Sequence, residues 1–166
     1  MPPTHPLSPA TVADYTLELR LRATVQDVWR ALTDDIGRWW PDAFYMCEGP
    51  GPREITLDAR PGGQMREDAG GGNGMIWGTV IHVQHGAVLE LSGSYGSPLT
   101  WVTSYNLSAD GTTTTLRFCE RMFGRVTDGE LRSKDHGWRF LYDGCMRAYL
   151  EGIQPPEWQP EPDGAC

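Results

Sequence analysis

This chain has no C-x-x-C pair, no run of about 20 apolar residues and no surplus of positive charge, and each absence removes a class of function. Its four cysteines stand at Cys47, Cys119, Cys145 and Cys166, too scattered for a zinc or redox motif. That spacing predicts reduced thiols and a cytoplasmic setting. The opening residues, MPPTHPLSPA, carry neither a basic region nor an apolar run, so no secretory leader is expected. A formal net charge of -8 repels phosphate backbones and anionic lipid surfaces. Neither nucleic-acid binding nor membrane insertion is therefore expected.

The 166 residues suit one domain. Residues 1–13 are proline-rich and small, and read as a flexible leader. Residues 14–153 read as the folded body and 154–166 as a proline-rich tail. Within the body, Tyr15, Leu17, Leu19 and Leu21 alternate with polar residues, the period of a half-buried strand. Thr24 then caps a helix with Val25, Val28, Trp29 and Leu32 on one face, and a short helical turn follows up to Pro41. The middle predicts a series of strands: 54–60, 64–68, 75–84, 87–95, 99–107 and 112–123. Residues 69–74 read as a mobile glycine-rich hairpin loop, longer than usual for the turn, and 75–84 as a strand apolar on both faces, as a central, doubly buried strand would be. Asp128 to Gly152 predicts one long helix.

A strand, two short helices, a run of antiparallel strands and one long helix describe an α+β fold. A single helix covers too little of a flat sheet, so the sheet must curl around it. That geometry predicts a cavity between them.

The order of elements and several strings resemble the SRPBCC superfamily, which includes START lipid-binding domains, the birch-pollen allergen and polyketide cyclases. The strings are Val28-Trp29-Arg30-Ala31-Leu32-Thr33-Asp34 leading to Trp39-Trp40-Pro41, then Arg60-Pro61-Gly62-Gly63, Gly78-Thr79-Val80, Gly111-Thr112 and Gly137-Trp138. They are most similar to the family named for the activator of the heat-shock ATPase. The resemblance implies a helix-grip fold, with about seven strands wrapped around the C-terminal helix, and a cavity for hydrophobic ligands. Members often carry a histidine near the end of the last strand, where this chain has Glu120.

The candidate site residues follow from the inward faces. Seven tryptophans are many for one small domain. Trp39, Trp40 and Phe44 follow the first helical pair, which in the resembling fold borders the pocket mouth. Tyr95, Trp101, Tyr105, Phe118, Trp138 and Tyr142 are expected to line it, since pockets favour rings with a few polar groups among them. Leu116 and Phe118 set the inward phase of the last strand and so turn Glu120 inward, facing an arginine such as Arg121 or Arg139 or serving the pocket. Met65 sets the same phase for Glu67. A buried carboxylate can act as acid, base or polar anchor. His82, His85 and His136 do not converge, so no metal site and no cofactor are expected. No catalytic residue can be assigned.

The function expected is binding of a small hydrophobic or aromatic ligand, with a homodimer as a further expectation. Two alternatives remain open: a cyclase-like or dehydratase-like enzyme using a pocket carboxylate, and a co-chaperone-like protein-interaction module.

Overall fold

A computed structural model describes residues 9–94 and 99–160. Seven strands form one antiparallel sheet: β1 (Thr11–Leu21), β2 (Glu54–Leu57), β3 (Gln64–Gly70), β4 (Asn73–Gln84), β5 (Val88–Ser94), β6 (Thr100–Asp110) and β7 (Thr113–Gly124). Their order is β1-β7-β6-β5-β4-β3-β2. Two short helices, α1 (Val25–Leu32) and α2 (Ile36–Trp39), follow the first strand. This is the helix-grip arrangement expected from the sequence.

Alternation fixes which face of each strand turns inward. Leu17, Leu19 and Leu21 of β1 are buried opposite Phe118, Leu116 and Thr114 of β7. Bulges in β3 and in β4 bend the far half of the sheet. The ring of Trp101 lies against Gly78 and Gly93, where an added Cβ would sit 2.7 and 2.5 Å from it. Glycine there lets a β6 indole lie flat over β4 and β5.

The C-terminal helix starts at α3 (Asp128–Trp138) with a full capping box between Thr127 and Glu130. It continues through a π-helical segment, Arg139–Met146, into α4 (Arg147–Glu151). Gly152 ends it in the left-handed conformation, φ 66°. The wider winding was not visible in the sequence, because buried residues spaced three and four apart read as ordinary helix. Leu141, Tyr142, Cys145, Met146 and Ala148 form its buried stripe.

Four sequence expectations need correction. The leader does not extend to residue 13, because β1 begins at Thr11; residues 1–8 lie outside the described residues. The glycine-rich stretch is no long loop. Gly70 pairs with Asn73, leaving a two-residue hairpin of Gly71 (φ 64°) and Gly72 (φ 84°), which only residues tolerant of positive φ can make. Strand β4 is not buried on both faces: Ile76 and Ile81 are about half exposed on its outer side. Finally, residues 154–160 lie against the body instead of leaving it. Trp158 packs on Phe44, Phe140 and His136 at ring-centroid distances of 5.2, 4.8 and 4.9 Å. His136 Nε2–H donates to the Gln159 carbonyl at 2.7 Å, and Pro156 abuts Gly144. Residues 161–166 lie outside the described residues.

Candidate functional site

Two spaces meet between the sheet and the C-terminal helix. The inner one is enclosed by Trp40, Met65, Trp77, Trp101 and Thr103 together with Tyr105, Phe118, Trp138 and Tyr142. Its volume is about 20 Å³, room for roughly one water. The expected wide cavity is therefore absent from this conformation. The rings that were to line it fill it: Phe118 lies 5.4 Å from Trp138 and 4.9 Å from Tyr142, centroid to centroid.

The outer space is an apolar crevice of about 360 Å³, bounded by Phe44, Met46, Trp77, Ser133, Lys134, Gly137 and Trp138. That size falls at the lower end of the range for small-molecule sites. Trp77 and Trp138 belong to both spaces, so the two indoles form the partition between them. A larger concavity, about 430 Å³, lies over the β3–β4 hairpin and has no aromatic lining.

Behind each partition indole stands a buried carboxylate. Glu120 is 1% exposed, inward as the phase of β7 requires. It accepts from Trp138 Nε1–H at 2.8 Å and from the Lys134 ammonium at 3.1 and 3.3 Å. The expected arginine partner is thus corrected to Lys134. Arg121 instead lies on the outer face of β7 and pairs with Asp14, while Arg139 pairs with Asp135. Lys134 also lies 5.4 Å from the centroid of the Trp138 ring.

Glu67 is 2% exposed. It accepts from Trp77 Nε1–H at 2.9 Å, from the Met46 amide at 2.9 and 3.0 Å, and from the Cys47 amide. It thereby ties the segment after α2 to the sheet. Nearby, the Cys47 thiol is pushed up by burial and by the charge of Glu67.

Other candidates divide clearly. Tyr105 and Tyr142 share a hydroxyl–hydroxyl hydrogen bond of 2.7 Å on the cavity wall. Burial raises Tyr105 well above the ordinary tyrosine range, against the Tyr142 hydrogen bond, with the Glu120 charge adding to the rise. Trp39 does not line either space; its indole donates to the Ala31 carbonyl at 2.7 Å and stays in the core. Phe44 stands at the crevice, 6.3 Å from Trp40 and 5.8 Å from Phe140. Tyr95 lies outside the described residues.

Sequence reasoning missed Trp77, Lys134 and Gly137. Trp77 lies on a strand with apolar residues in both phases, so its direction was undecided. Lys134 precedes Trp138 by one helical turn and has the sign opposite to Glu120, a usable signal. Gly137 opens the crevice: a Cβ there would reach the Phe44 ring at 3.7 Å. Among the described residues no cluster of three or more His, Cys, Asp or Glu side chains forms a metal site. No described helix is long and apolar enough to cross a membrane.

Residues 22–151 match the family model described as Activator of Hsp90 ATPase homolog 1-like protein. The chain belongs to this family. Solved structures similar to this family member include Mll3558 from Rhizobium loti, at 20% identity and TM-score 0.66, covering 86% of this chain and 100% of that one. Ara h 8.0201 matches at 11% identity and TM-score 0.65, over 86% of this chain and 99% of that one. CalU16 from Micromonospora echinospora matches at 20% identity and TM-score 0.61, over 89% of this chain and 86% of that one. These likenesses show a shared fold. No curated protein matches the sequence.

Proposed function

We propose that this chain binds a small hydrophobic or aromatic molecule, seated in the crevice and reaching inward between Trp77 and Trp138. The observation that carries this reading is the shared partition. An apolar crevice of ligand size and a ring-lined inner space share two lining residues, Trp77 and Trp138. The superfamily resemblance supports the same reading.

A carboxylate enzyme of the cyclase or dehydratase type is less well supported. General acid–base work needs a carboxyl group within reach of the guest. Both oxygens of Glu67 and both of Glu120 already accept hydrogen bonds from protein donors. The cytoplasm remains the proposed compartment, supported by free thiols at Cys47, Cys119 and Cys145. Burial lifts the Cys145 thiol to about 11, which makes it a poor nucleophile.

Titration with 1-aminoanthracene, a neutral fluorescent aromatic, tests the reading. Saturable enhancement at one probe per chain is expected, together with its loss in Gly137→Leu. Leucine fills the crevice on a helix that tolerates it better than glycine. Absence of saturable binding, or undiminished binding by Gly137→Leu at an unchanged melting temperature, would overturn it.

A further inference from the structure

Trp40 Nε1 is a buried donor that meets no acceptor among the described residues. The side chain is only 7% exposed, so the N–H is more than nine-tenths withdrawn from solvent. Trp39, its neighbour, has its own N–H satisfied by Ala31. The indole of Trp40 lines the inner space and packs edge-on against Trp77, 5.3 Å between centroids. An orphaned buried donor is costly, and its natural remedy is an acceptor delivered into the space beside it.

That space holds one oxygen-sized group and no ring. The crevice beyond the partition holds a ring system. The charged groups on this wall are already engaged: Glu120 with Lys134 and Trp138, Glu67 with Trp77 and two backbone amides. An anionic guest would be a third negative charge beside these two carboxylates, with one ammonium already shared.

We infer that the guest is an uncharged aromatic molecule carrying a hydrogen-bond acceptor such as a carbonyl oxygen. Its rings lie in the crevice between Phe44 and the partition indoles. Its oxygen passes between Trp77 and Trp138 into the inner space and accepts from Trp40 Nε1–H. This rests on the crevice reading above and adds the guest's polarity and charge to it.

Three probes of one shape separate the possibilities: 2-acetylnaphthalene, 2-isopropylnaphthalene and 2-naphthoate. The expected order of affinity in the wild-type protein is ketone first, by about tenfold over the hydrocarbon, with the carboxylate weakest. Trp40→Phe keeps a ring and removes the donor, and should abolish the preference for ketone over hydrocarbon. Should that variant fail to fold, the wild-type protein still decides the matter. In a ¹⁵N-indole-labelled sample the Trp40 N–H proton resonance should move downfield with the ketone and not with the hydrocarbon. Equal affinity of ketone and hydrocarbon with an unmoved Trp40 resonance overturns the hydrogen bond while leaving the crevice intact. Tightest binding of 2-naphthoate overturns the uncharged class. Failure of all three to bind overturns the crevice reading as well.

Discussion

Glu67 and Glu120 are two solutions to one physical problem. Each is buried on the inner face of the sheet, and each accepts from the N–H of a partition indole. Glu67 is otherwise held by main-chain amides of a loop, Glu120 by an ammonium on a helix. Loop amides are donors that belong to the fold itself. An ammonium on a flexible stem can move with a guest. The difference suggests that the Glu67 end is the fixed wall of the site and the Glu120 end is the adjustable one.

The largest effect should come from the fixed wall. Glu67→Ala strips the acceptor from Trp77 and from the Met46 and Cys47 amides, and should cost about 4 kcal/mol in urea denaturation, since each buried unsatisfied donor costs about 1–3 kcal/mol. A loss under about 1 kcal/mol would mean that this segment is not clamped by Glu67. At the other end, Lys134→Met leaves Glu120 buried without its cation and should cost about 3 kcal/mol. Adding Glu120→Gln to Lys134→Met should recover more than about 1 kcal/mol, a coupling read from the double-mutant cycle. Simple additivity would show the pair to be independent. Glu120→Gln alone should cost about 1 kcal/mol, because an amide oxygen can still accept from Trp138. It should change aromatic probe affinity without unfolding the domain, and an unchanged affinity and pH profile would remove Glu120 from the site.

The smallest effect is electrostatic at high pH. Burial raises Tyr105, so its hydroxyl keeps its proton in the fold after an unfolded tyrosine would lose it. A folded value above the unfolded one means that this contribution is intact below about pH 10 and is lost as pH rises past it. Tyr105→Phe should therefore flatten part of the decline in stability above about pH 10. A decline of the same slope in both proteins would assign it to other groups.

Much of this was legible from period alone. Leu116, Phe118 and Glu120 lie on one face of β7, so the burial of Glu120 followed from counting by twos. Thr24 and Gly152 marked helix ends by their own chemistry. What was not legible depends on contacts across the chain. The helical spacing of Lys134 and Trp138 was there to be read, but several arginines carry the same sign, and only the packed helix selects Lys134 for Glu120. The sequence did not show that Trp77 would turn inward on a strand with apolar residues in both phases. The volume left between sheet and helix is a sum of many ring positions, and the expectation of a wide void failed there. Trp158 was hidden because proline-rich composition says nothing of what a single indole in it can pack against.

Native mass spectrometry on the chain purified from its own host, beside Gly137→Leu prepared in the same way, tests the existence of the guest site most directly. A small molecule retained by the wild-type protein and missing from Gly137→Leu is the expected result. Bare masses for both, or the same adduct on both, would contradict a site at the Trp77–Trp138 partition.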